Sequence, residues 1–78
     1  MPTLTADHRN ALEMLVDCGD EGCTLAIMQA HGFAAKIIAE LVRGGLATAR
    51  AEQMHVGGRP IDVTRVRITG AGRLVERR

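Results

Sequence analysis

Apolar positions recur along this chain first at helical spacing and then in an extended hairpin pattern. Over residues 5–18, His8, Ala11, Leu12, Leu15 and Val16 lie three or four apart, which puts them on one helix face. Thr5 or Asp7 can cap the start of this helix, and Gly19 stops it. Cys18-Gly-Asp-Glu-Gly-Cys23 reads as a tight polar turn, and residues 22–24 as one short strand. Leu25 to His31 is a shorter helix, capped by Thr24, offering Leu25, Ile27 and Met28 for burial and ended by Gly32. Helical spacing returns from Phe33 to Arg43, where Ala34, Ile38, Leu41 and Val42 share a face. Gly44 or Gly45 then takes the left-handed C-cap conformation, and Leu46 tucks back under the helix just closed. The chain ends with Thr69 to Val75 as a short helix or turn, with Leu74 and Val75 docking on the core.

Residues 46–69 read as a hairpin. A turn over Gly57-Gly58-Arg59-Pro60 pairs Val56 with Ile61, Met54 with Val63, Glu52 with Arg65 and Arg50 with Arg67 on one surface. The other surface then carries Ala51 opposite Val66 and Ala49 opposite Ile68, turned toward the helices. The pair Glu52–Arg65 is a modest gain of about 0.2–1 kcal/mol, and Arg50 facing Arg67 is a cost. A slip of one residue reverses every face, so a buried hairpin base determines the register.

Seventy-eight residues suit a single domain, taken here as residues 1–78. Phe33 is the one aromatic residue, so the core is aliphatic. No apolar run is long enough to span a membrane, and no basic-then-apolar signal pattern opens the chain, so the expectation is a cytoplasmic protein. The net charge of +1 hides an asymmetry. Residues 1–45 carry three cations against six carboxylates, whereas residues 46–78 carry seven arginines (50, 59, 65, 67, 73, 77 and 78) against Glu52, Asp62 and Glu76. A basic end of this kind raises the odds of nucleic-acid contact; the plain alternative is a solvated surface of mixed charge.

The order helix, short strand, helix, helix, hairpin is similar to a winged helix-turn-helix, an α+β fold with three helices, a small antiparallel sheet and a short C-terminal helix. Leu41-Val-Arg-Gly-Gly45-Leu46 looks like the signature that ends the recognition helix in bacterial winged-helix regulators. Arg67-Ile68-Thr69-Gly70-Ala71-Gly72-Arg73 resembles the phrase that follows the wing in the MarR (multiple-antibiotic-resistance regulator) family. The resemblance spans roughly residues 5–75 and implies binding of double-stranded DNA and transcription regulation. Carried over by position, it places Phe33, Ala35, Lys36, Ala39 and Glu40 toward the major groove and Arg59 at the wing tip. The chain departs from the family in two respects. Its groove-facing set has none of the Arg, Asn or Gln side chains that usually read base edges, and it lacks the flanking helices through which MarR-type regulators dimerise.

The candidate DNA-binding residues are therefore Phe33, Ala35, Lys36, Ala39, Arg50, Arg59, Arg65 and Arg67, with Arg73 close behind. Guanidinium groups pair well with phosphate, and each neutralised phosphate releases counterions. The plain reading of the same arginines is a charged hairpin edge guarded against aggregation. Met54, Val56, Ile61 and Val63 share one face of the wing tip, where they either cover one another or pair two copies of the chain as a homodimer. Cys18 and Cys23, with four residues between them, are read as reduced in a cytosolic chain, with a reversible, redox-sensing disulfide as the sharper alternative. Zinc would need His8 and His31 to converge on the same turn, and no CxxC pair is present, so no metal is expected. His8, His31 and His55 match no catalytic motif, and neither an enzyme activity nor a cofactor is expected. A winged-helix protein-interaction module without DNA binding is the second functional class to weigh, favoured by the alanines of the helix over Phe33 to Arg43.

Overall fold

The protein was analysed as a computed structural model that describes residues 4–77; Arg78, counted above among the basic residues, lies outside them. In chain order come α1 (Ala6–Asp17), a 3-10 turn (Gly19–Glu21), β1 (Cys23–Thr24), α2 (Leu25–Ala30), α3 (Ala35–Arg43), β2 (Ala47–Val56), β3 (Arg59–Ile68) and α4 (Gly70–Glu76). The described residues thus form an α+β arrangement of four helices and a three-stranded antiparallel sheet in the order β1-β3-β2, compatible with a winged-helix arrangement.

Threonine caps open three of the four helices among the described residues. Thr5 accepts a hydrogen bond from the His8 amide at 3.3 Å, while the Thr5 amide donates to His8 Nδ1 at 3.0 Å. Histidine thus fills the place that Glu or Gln usually takes in this reciprocal box. Thr24 accepts from the Ile27 amide and opens α2; Thr69 accepts from the Gly72 amide and opens α4. Ala34 precedes α3 with no side-chain cap. At the far end of α3, Gly45 takes the left-handed conformation with φ 75°, and the Leu46 amide donates to the Leu41 carbonyl at 2.9 Å. That closure returns Leu46 to the core, where it is buried.

The core is aliphatic and lies between the helices and the base of the sheet. Leu12 and Leu15 of α1, Met28 of α2, Leu41 of α3 and Val66 of β3 are fully buried, each worth about 1.5–3 kcal/mol relative to exposure. Ala11, Cys23, Ile38, Leu46 and Ala47 complete the cluster, with Phe33, Val42, Ile68 and Val75 packed half-buried against it. Val75 docks α4 as the pattern suggests, but Leu74 points to solvent with 63% of its surface exposed. What seats α4 is a close approach instead: a Cβ on Gly72 would collide with the Leu46 carbonyl and the Ile68 side chain.

The hairpin register differs from the sequence expectation by two residues on one strand. Val56 pairs with Arg59, Met54 with Ile61, Glu52 with Val63, Arg50 with Arg65, Ala49 with Val66 and Ala47 with Ile68. The loop is therefore two residues, Gly57-Gly58, with φ of 59° and 79°. Two consecutive left-handed residues match the twist of the flanking strands, and Gly-Gly supplies both without strain. Pro60 consequently sits in β3, opposite His55, rather than in the turn. In a two-residue hairpin that pair exchanges no ladder hydrogen bonds, so the missing proline N–H is not needed there. A shift by two preserves side-chain alternation, so the inner and outer faces remain as expected.

Cys18 and Cys23 are joined as a disulfide, with Cα atoms 5.9 Å apart. This corrects the expectation that both are reduced, and it closes the polar turn between α1 and β1 into a ring. Among the described residues no helix is long and apolar enough to cross a membrane.

Candidate nucleic-acid interface

Two turns separate Lys36 from Arg43 on α3, so both project from the same side of the helix. Ile38 and Leu41 are buried on the opposite side, which makes the Lys36–Arg43 side the outward one. Both cations are exposed, and among the described residues neither has a carboxylate within ion-pair distance. Arg43 is a candidate that the sequence reading passed over. The signal was available: it lies seven residues after Lys36, at the helix end where a cation also complements the helix dipole. Ala35 and Ala39 lie on the hairpin-facing flank of this ridge, both exposed. Glu40 lies on the other flank, where its Oε1 accepts from His8 Nε2 at 3.0 Å, so α3 is tied to α1. Having Thr5 on one ring nitrogen and Glu40 on the other, His8 has no nitrogen left for a metal. Phe33 precedes α3 and packs half-buried on the core.

Beside the ridge lies a groove of about 480 Å³ between α3, α2 and the inner face of the hairpin. Leu25, Ile38 and Val42 form its walls, and Ala35, Ala39 and Ala49 leave the space open. Arg43 lies on its edge. Ala49, which the sequence turns toward the helices, thus lines an open groove, and the sheet closes on the core through Ala47 and through Val66, the partner of Ala49 in β3.

The outer face of the hairpin is cationic at its base and apolar near its tip. Alternation places Thr48, Arg50, Glu52, Met54 and Val56 of β2 on it with Arg67, Arg65, Val63, Ile61 and Arg59 of β3. These arginines share a face, but they do not share a fate. Arg65 Nε donates to Glu52 Oε1 at 2.9 Å, and Arg67 Nη1 donates to Glu52 Oε2 at 3.1 Å. Glu52 lies opposite Val63 and reaches the two arginines along the face, so the expected Glu52–Arg65 pair forms in a register other than the expected one. Arg67 Nε also donates to the Asp20 carbonyl at 3.2 Å, and Arg65 Nη1 to the Glu21 carbonyl at 3.4 Å. Arg73 lies 3.4 Å from Asp20 Oδ1. Arg65, Arg67 and Arg73 thus brace the hairpin base, whereas Arg50 and Arg59 are exposed with no carboxylate partner among the described residues. Met54, Val56 and Ile61 are exposed near the tip, at 39%, 56% and 44%.

The two guanidinium groups hold the Glu52 carboxyl below its ordinary pKa, through hydrogen bonds first from Arg65 and then from Arg67. A depressed folded-state pKa favours the native hairpin above the unfolded-state value. That contribution fades as pH falls through the folded value. NMR titration of the Glu52 side chain is expected to show a midpoint below that of an unstructured glutamate, moving back up in Arg65→Gln. An unchanged midpoint in that variant would count against Arg65 as the main cause.

No protein family, no characterised protein and no solved structure gives a significant match to this chain.

Proposed function

We propose that this chain is a small winged helix-turn-helix protein that holds duplex DNA chiefly through phosphate, with α3 presented to the major groove and the β2–β3 hairpin acting as the wing. The observation that carries this reading is the outward ridge of α3: Lys36 and Arg43, exposed and without carboxylate partners among the described residues, project on one side of the helix that leads into the hairpin. Arg50 and Arg59 supply two further free cations on the wing. Alanines at 35 and 39 allow close approach of the helix but offer no donors or acceptors to base edges, so affinity falls on the backbone. Transcription regulation, or packaging of DNA without strong sequence preference, fits a contact of that kind.

Four phosphate contacts imply a steep salt dependence. Fluorescence anisotropy with a generic duplex is expected to give a slope of log Kobs against log salt of about −3 to −4. No binding even at low salt would remove the DNA reading. In its place would stand a protein-interaction module that docks a partner through the apolar groove or pairs two copies through Met54, Val56, Ile61 and Val63; the openness of that groove and the exposed wing tip favour it.

A further inference from the structure

The ring closed by Cys18 and Cys23 holds three of the basic end's arginines. Its Asp20 carbonyl accepts from Arg67 Nε and its Glu21 carbonyl from Arg65 Nη1, while the Asp20 carboxylate meets Arg73 Nη2. The ring is also pressed against the sheet. Cys23 pairs with Val66, and Gly22 lies so close to the Val66 carbonyl that no Cβ fits between them. The two cysteines differ in exposure: Cys23 is buried at 4%, whereas Cys18 is half-buried at the end of α1. We infer that Cys18 and Cys23 form a thiol–disulfide switch whose moving part is the 18–23 ring and whose load is the trio Arg65, Arg67 and Arg73.

The chemistry needs only a dithiol reductant. Its thiolate attacks Sγ of Cys18, the more exposed of the two residues; the Cys18–Cys23 bond breaks, and its electron pair leaves on Cys23 Sγ, which takes up a proton. The second thiol of the reductant then displaces Cys18 from the mixed disulfide. Two electrons and two protons have passed to the protein, and the reductant leaves as a cyclic disulfide. With the cross-link gone, the ring loses the restraint that keeps the Asp20 and Glu21 carbonyls aimed at the arginines. A six-residue turn with two glycines opens readily once unclosed. Arg73 is then released to solvent, while Arg65 and Arg67 lose their ring carbonyls and share Glu52 alone.

The test compares the oxidised protein with the same protein in dithiothreitol. Amide hydrogen exchange over residues 19–22 is expected to rise by about tenfold or more on reduction, while α1 core amides from Ala11 to Leu15 stay protected. Native-state alkylation should label Cys18 before Cys23. A Cys18→Ser variant should show the fast ring in both buffers. Equal exchange in the two redox states, or no alkylatable thiol after dithiothreitol, overturns the switch. The effect on duplex affinity rests on the proposed DNA reading, and it is read separately by anisotropy: reduction should tighten binding as cations are freed. A faster ring with unchanged anisotropy upholds the switch and removes DNA as what it controls.

Discussion

Gly22→Ala is expected to lower the melting temperature more than alanine at another of the chain's left-handed glycines. Gly22 has φ 71° and ψ −166°, a region that glycine alone occupies freely. Its missing Cβ is also where the Val66 carbonyl and the Arg67 side chain lie. The backbone strain alone is about 1–3 kcal/mol, and the collision with a sheet carbonyl has no flexible partner to absorb it. A total loss of about 3 kcal/mol or more follows, which in a domain of this size is a drop of about 12 °C or more. Gly32→Ala is the control. Gly32 also has positive φ, at 95°, but nothing lies within 4 Å of its Cβ position, so only the dihedral term, about 1–2 kcal/mol, is expected. Circular dichroism melts of the two variants separate the terms. Equal losses would mean that the 18–23 ring does not sit on β3 as described.

Removing the two cations of the α3 ridge is the largest expected functional effect. Lys36→Ala with Arg43→Ala should cut duplex affinity by at least about tenfold for each residue, the usual range for a hydrogen bond to a charged group. The salt slope should fall by about two, because two phosphates are no longer neutralised. The fold should tolerate the change: both side chains are exposed, and neither makes an ion pair among the described residues. Arg65→Gln with Arg67→Gln makes the informative comparison. Those guanidiniums are already bonded to Glu52 and to ring carbonyls, so in the oxidised protein the salt slope should change little while the melting temperature drops. If the Arg65 and Arg67 pair moves the slope more than the Lys36 and Arg43 pair does, the α3 ridge is not the contact.

That contrast also marks the limit of charge counting. Along the sequence Arg50, Arg59, Arg65 and Arg67 are equivalent members of a basic end. Only the register and the ring after α1 make them unequal, because Glu52 reaches along the outer face and the Asp20 and Glu21 carbonyls arrive from more than forty residues away. Arg43 went unnoticed for the opposite reason: it sits at the end of an apolar helix, and its standing depends on which side of that helix is left unburied. The register error had a local cause. Pro60 next to Arg59 looks like turn chemistry, and only the pair of left-handed glycines shows that two residues complete the reversal. The inner and outer faces were still right, because a shift by two leaves alternation unchanged.

Periodicity, caps and glycines by themselves determined where this chain is helical and where it is extended, that its core is aliphatic, and that α3 runs through a glycine closure into a hairpin. These are properties of neighbours in sequence, carried by side-chain spacing and by dihedral freedom. Tertiary structure alone decided which arginines are spent on the fold and which stand free, that Ala35, Ala39 and Ala49 border an open groove, and that two cysteines close a ring upon β3. Those outcomes depend on segments far apart in the chain meeting within a few ångströms, and hydrogen bonds, ion pairs and packing voids exist only once they do.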